Sequence, residues 1–350
     1  MLRKQGLVNL TLNALVESGA FRAMRQISPP TLTVLNYHRI ADSADPTFTL
    51  FKPIVSATPE QFARQMDYVK DVYNVIDTKQ LAAWLHGGGE LPPNPAIITF
   101  DDGYYDNLSN AYPILKERGL TAIIFLATSY IGSVNPFYWD LAAYAFYHTK
   151  KDCVQTLSNL ICWSDQISRD KAVNTWVVSV KKLLDEEKQR QLDILIHDLD
   201  VAIPENAFHG LHLSWEQARS MTDGVIEFGA HTVTHPILTR VTFEQAAWEI
   251  FESKRRIEEE IGKPVNAFAY PNGGHADYSE AVCDLVRNSG CDMAFTLMPG
   301  PVSLGRVKKR PFEIPRVFLG DWDSFPRFVA KLSGAEVIRE KISSIRKKSK

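Results

Sequence analysis

Six short runs of consecutive apolar residues punctuate the chain, at 32–37, 96–100, 122–127, 226–230, 267–270 and 294–297, and 314–318 makes a weaker seventh. Runs of this length without alternation predict strands buried on both faces. Helices with legible starts lie between them. Thr58-Pro59-Glu60-Gln61 offers a cap, a proline at the first helical position and a glutamine able to close a capping box. Thr242-Phe243-Glu244-Gln245 opens another helix, which turns Ala246, Ile250, Ile257 and Ile261 inward and stops at Gly262 and Pro264. Alternating strands and helices predict a mostly parallel sheet, either closed into a barrel or open and doubly wound.

The segment from about 137 to 222 breaks this rhythm. It reads as a helical insertion, with charged stretches such as 181–190. Its aromatic entry, Phe137, Tyr138 and Trp139, is expected to pack on the barrel, with the lining of a substrate groove as the alternative. Residues 1–28 predict an amphipathic helix, with Leu7, Leu10, Ala14, Leu15, Phe21 and Met24 near helical spacing. Polar residues interrupt that stretch, so it resembles neither a signal peptide nor a membrane span. The cytoplasm, or the cytoplasmic face of the membrane, is therefore the expected location, with export as the alternative. Residues 331–350 read as a basic tail with at most weak attraction to a membrane surface.

Composition changes little. The chain has 350 residues, 45% of them hydrophobic and 23% charged, as in an ordinary globular protein. A formal charge of −2 gives no reason to expect nucleic acid as a partner. Cys153, Cys162, Cys283 and Cys291 lack metal-ligand spacing and are expected to be buried thiols.

Candidate chemistry collects at the ends of the predicted strands. Asp101 and Asp102 follow one strand in Thr99-Phe100-Asp101-Asp102-Gly103. Neighbouring side chains on a strand diverge, so one carboxylate can hold a cation while the other serves as a base. Alone, the pair is equally a turn and helix cap. His231-Thr232-Val233-Thr234-His235 ends another strand, and imidazoles at i and i+4 on one helical turn converge on one metal. The zinc-protease motif has a glutamate after its first histidine. Threonine stands there here, so the base must come from elsewhere, and Asp101-Asp102 supplies candidates. The turn Tyr270-Pro271-Asn272-Gly273 is either an ordinary loop or one that aims an amide N–H at an oxyanion. His38 follows the first strand and, taken singly, reads as a structural histidine. All of these groups share the face on which barrel enzymes assemble their sites.

The two motifs Thr-Phe-Asp-Asp-Gly and His-Thr-Val-Thr-His, in this order, resemble those of the polysaccharide deacetylases, carbohydrate esterase family 4 or the NodB-homology group. The resemblance covers residues 32 to about 327. It implies a deformed (β/α) barrel of seven strands and a divalent metal, usually Zn2+, held by Asp102, His231 and His235. It also implies Asp101 as general base and the Asn272 N–H as an oxyanion donor. Two features depart from the family pattern: the third motif has no arginine, and no histidine follows His275 to serve as the late general acid. Tyr37-His38 instead resembles the Tyr-His motif of the exopolysaccharide, poly-N-acetylglucosamine branch, with His38 as the acid. Arg316 is expected to replace the missing arginine beside Asp101. The implied reaction is hydrolysis of the N-acetyl group of an amino sugar in a polysaccharide or glycolipid. The alternatives are an amidohydrolase of the same fold and a non-catalytic glycan-binding protein.

Overall fold

A computed structural model describes residues 12–16, 18–20, 29–157 and 159–335. All seven expected strands are present: β1 (Thr31–Tyr37), β2 (Pro95–Asp102), β3 (Ala122–Leu126), β4 (Ile226–Ala230), β5 (Ala267–Ala269), β6 (Met293–Pro299) and β7 (Ile314–Phe318). Each pairs in parallel with the next, and β7 pairs in parallel with β1. The sheet therefore closes into a seven-stranded barrel, and the open doubly wound alternative is excluded.

Strand alternation divides the core in two. Val34, Ile97, Phe125, Ala269, Phe295 and Ile314 fill the barrel interior. Leu35, Ile98, Phe100, Ile124, Phe228 and Phe268 face the surrounding helices. Helix α1 (Pro59–Val72) buries Phe62, Met66 and Val69 against that outer layer, where α2 (Tyr112–Arg118) adds Leu115, and the expected capping box of α1 between Thr58 and Gln61 forms.

The connection from β3 to β4 carries α3 (Tyr138–His148), a two-stranded hairpin, α4 (Gln166–Val180) and α5 (Asp185–Leu199). These pack around their own core, which includes Phe146, Val173, Trp176, Val177 and Leu195. The chain rejoins the barrel where Leu213 N–H donates to the Gly103 carbonyl at 2.9 Å. The short helix Trp215–Ser220 already belongs to the barrel, because Ala218 sits in its outer core.

The hairpin holds a correction. Cys153 and Cys162 lie on its paired strands and form a disulfide, whereas Cys283 and Cys291 are the buried free thiols that were expected. Direct cross-strand pairing brings their Cα atoms within 4.0 Å, a proximity that the nine-residue sequence separation does not reveal.

Only part of the expected N-terminal helix is described. Residues 12–16 are helical, and Leu12 and Val16 pack on the barrel, whereas Ala14 and Leu15 are exposed. Leu7, Leu10, Phe21 and Met24 lie outside the described residues, as does the basic run beyond 335. Lys331 does not belong to a solvated tail. It ends the helix Phe325–Leu332, is buried, and donates to Asp323 at 2.6 Å. No helix among the described residues is long and apolar enough to cross a membrane.

Candidate active site

The C-terminal mouth of the barrel gathers His38, Asp101, Asp102, His231, His235, Asn272 and Arg316. Asp101 ends the inward-facing column of β2 and is buried. Arg316, inward-facing on β7 and fully buried, grips it with both arms: Nη1 donates to Oδ1 at 2.7 Å and Nη2 to Oδ2 at 2.8 Å. Asn36 Nδ2, from β1, adds a third bond to Oδ2 at 2.9 Å. Arg316 is itself fixed by bonds to the Thr296 carbonyl and to Thr99 Oγ1, each at 3.2 Å. Burial pushes the Asp101 carboxyl up, but the guanidinium, then His231 and His38, outweigh it and hold the group well below the usual carboxylate range.

Asp102 follows directly and breaks the extended conformation, with φ at +77°. Gly103 continues the turn at φ +76°, where an added Cβ would meet the Leu126 and Ile131 side chains at 2.7 and 2.8 Å. The turn swings the second carboxylate away from Arg316 and toward the two imidazoles. Asp102 Oδ1 lies 3.6 Å from His231 Nε2 and 3.5 Å from His235 Nε2. Those distances are too long for hydrogen bonds, and Oδ1 is buried without a partner.

The donor set fits a metal ion. Ligand atoms at about 2.0–2.2 Å in a tetrahedral shell lie roughly 3.4 Å apart. The three atoms here all fall within 4.8 Å of one another. The His231 ring nitrogen Nδ1 pairs with the Ala269 carbonyl at 2.7 Å, which leaves Nε2 free to coordinate. Burial lowers both imidazoles below their ordinary value, and the neutral form is the one that ligates. Burial and then the neighbouring Asp101 charge raise the Asp102 carboxyl.

The histidines do not converge by helical spacing. Residues 231–235 form an irregular loop in which Thr232 and His235 take φ of +70° and +60°. A residue absent from the sequence reading imposes this shape. Glu249, fully buried on α6 (Phe243–Ile261), accepts N–H bonds from Val233 at 2.7 Å and Thr234 at 2.8 Å, and the Thr234 hydroxyl as well. Thr232 Oγ1 closes the loop by accepting from the His235 N–H at 3.0 Å. Glu249 lies between Ala246 and Ile250 on the apolar face of α6, and a buried acid in that pattern was the available signal.

His38 sits at the rim. Its Nε2 lies 3.8 Å from Asp101 Oδ2, and its Nδ1 is buried without a partner. Burial outweighs the attraction of Asp101 and lowers the imidazole to about 4. Asn272 takes φ +59° in the turn after β5, and no described residue accepts its N–H.

Phe137 and Trp139 are buried, stacked on each other at 4.4 Å, and meet the His235 ring edge-on at 5.4 and 5.1 Å. Together with Tyr130 and Tyr138 they wall a cavity of about 330 Å³ that reaches His235 and Thr234. The aromatic entry thus both packs on the barrel and lines a groove.

A closed parallel barrel that buries paired acids, two imidazoles and a bidentate arginine at its C-terminal mouth defines the class: an α/β-barrel hydrolase. The model of the polysaccharide deacetylase family matches residues 88–294. The chain belongs to that family, carbohydrate esterase family 4, and is a deacetylase. It is 21% identical over 276 residues to YxkH of Bacillus subtilis, named for the same family, covering 79% of this chain and 67% of YxkH. Among solved structures it resembles the Streptococcus pyogenes deacetylase PplD in complex with acetate. The TM-score is 0.58 at 17% identity, covering 87% of this chain and 99% of that one. It also resembles IcaB from Ammonifex degensii, with TM-score 0.55 at 19% identity over 87% and 97% of the two chains. At such identities the structural likenesses speak for the fold.

Proposed function

We propose that the protein hydrolyses the N-acetyl group of an amino sugar in a polysaccharide or glycolipid, with Zn2+ or a similar divalent ion held by Asp102, His231 and His235. One observation carries this reading: an unpartnered, buried Asp102 oxygen faces two neutral imidazoles, next to a second carboxylate that Arg316 keeps ionised. The ion, when bound, polarises the acetyl carbonyl and acidifies a water molecule. The remaining steps belong to the chain. Asp101 accepts the proton of the attacking water, and Arg316 together with Asn36 keeps its lone pairs aimed and available. The Asn272 N–H donates to the developing oxyanion. His38, neutral at rest and 3.8 Å from Asp101, takes up the collected proton and delivers it to the departing nitrogen as the carbon–nitrogen bond breaks. Water oxygen ends in acetate, and the sugar keeps a free amine.

Acetate release from N-acetylated oligosaccharides tests this. Asp101→Asn should lower kcat by about 10²–10⁴-fold. A metal-loaded protein that releases no acetate from any N-acetylated glycan would overturn the reading.

The Cys153–Cys162 bridge supports an oxidising compartment in place of the cytoplasm expected from the sequence. Thiol alkylation of protein taken from its native compartment, with and without reduction, should differ by two modified cysteines. Equal modification would return the protein to the cytoplasm.

A further inference from the structure

Beside the metal ligands, a narrow crevice runs between the insertion and the barrel, lined by Tyr138, Lys181, Asp185, Lys188, Arg240 and Asn272 around His235. Three of these side chains are cations and one is a carboxylate. Asp185 is already taken by Lys188, one turn along α5, and the Lys188 ammonium also stands 4.8 Å over the Tyr138 ring. Lys181 and Arg240 have no carboxylate within ion-pair distance among the described residues. Burial lowers the Lys181 ammonium from its ordinary value, and neither Asp277 nor Asp102 restores it.

Uncompensated cations in a half-buried place are costly unless an anion comes to them. These two do not merely decorate the surface. Lys181 follows α4 in the insertion, whereas Arg240 follows the metal-ligand loop in the barrel, so two separate parts of the fold aim positive charge at one spot. The crevice shares Tyr138, Asp185, Lys188 and His235 with the aromatic-walled cavity, so the two spaces meet at the metal ligand. The crevice itself, about 10 Å³, has room for a small anionic group and not for a sugar ring, so a glycan whose N-acetyl group reaches His235 would present only such a group of a neighbouring unit to Lys181 and Arg240.

We infer that the substrate is an anionic glycan: its N-acetylated sugar neighbours a carboxylate or phosphate group, which Lys181 and Arg240 hold. This rests on the deacetylase reading and narrows its substrate class. The same charges work against a polymer already rich in free amines, because each deacetylated neighbour would present an ammonium to the crevice.

The test compares three oligosaccharides of equal length: neutral N-acetylglucosamine oligomers, oligomers alternating N-acetylglucosamine with glucuronate, and N-acetylglucosamine units joined through phosphodiesters. Binding is measured to the Asp101→Asn protein, where turnover does not intervene, and acetate release to the native protein. One of the anionic series should bind about tenfold or more tightly than the neutral one at low salt, and the better series identifies the anion. That preference should shrink as salt rises toward 1 M and should fall toward unity in Arg240→Gln and in Lys181→Gln. Equal binding of neutral and anionic oligomers overturns the inference, as does a preference that both variants retain. A preserved binding preference with no acetate released counts against the deacetylase reading alone.

Discussion

Asp101 and Arg316 form a fully buried, bidentate ion pair, and the two partners depend on each other unequally. Removing the guanidinium leaves an ionised carboxylate in a low-dielectric barrel, a loss of about 3–5 kcal/mol for an unpaired buried charge. Arg316→Ala should therefore lower stability by that order in urea titration and depress acetate release at least as strongly as it misaims the base. Unaltered activity would remove Arg316 from the site. Arg316→Lys keeps the charge and loses the fork, so it should recover more stability than activity. The pair also sets a pH dependence. Asp101 is depressed in the folded state, so its contribution is fully present above the unfolded value of about 4 and is lost as pH falls below it. Unfolding followed between pH 3 and 6 should show stability falling on the acid side, and Asp101→Asn should flatten that slope.

At the scale of elements, the loop from His231 to His235, the proposed metal ligands, is held in shape by a helix that begins eight residues after it. Glu249→Gln keeps the size of the side chain but turns one acceptor into a donor facing two N–H groups. Metal affinity should fall by about 10–100-fold, the usual effect of losing a supporting partner, measured by competition with a chelator. Far-ultraviolet circular dichroism should be unchanged, and Glu249→Asp should restore part of the affinity. Strand β4 carries a second constraint. A Cβ at Gly229 would lie 2.5 Å from the Phe125 ring and 3.0 Å from the Ala267 carbonyl, so Gly229→Ala should cost about 1–3 kcal/mol by overpacking. The barrel strands were legible in the sequence because burial on both faces leaves unbroken apolar runs. The i and i+4 spacing of the two histidines fits a helical turn, yet the structure forms an irregular loop there. The backbone at Thr232, which no local pattern shows, and the carboxylate of Glu249, whose one signal is an acid on an apolar helix face, decide otherwise. Arg316 is legible only through the family resemblance: the third motif lacks its arginine, and Arg316 at the end of the last strand is the residue that can replace it.

Across the whole molecule, chemistry and access come from different parts. Asp101, Asp102, His231 and Arg316 ride on or directly after barrel strands, so closing the barrel is what assembles them. The disulfide could not be read from the sequence, because it depends on a hairpin register inside the insertion. Its loss in Cys153→Ser should leave the barrel's thermal transition in place and loosen only the hairpin, detectable as faster amide exchange at residues 153–162.

The insertion packs around an apolar cluster apart from the two barrel cores, joined by Phe51, Tyr104 and Ala127 of the barrel's connections, and it lines most of the groove wall. For the family's history this means that taste and reactivity can drift apart. Helices α3 to α5 can be rewritten for a new polymer while the strand ends that carry the proposed chemistry stay under unchanged constraint. Chimaeras that exchange the segment between β3 and β4 among relatives should then inherit the donor's choice of glycan and the recipient's pace of cleavage.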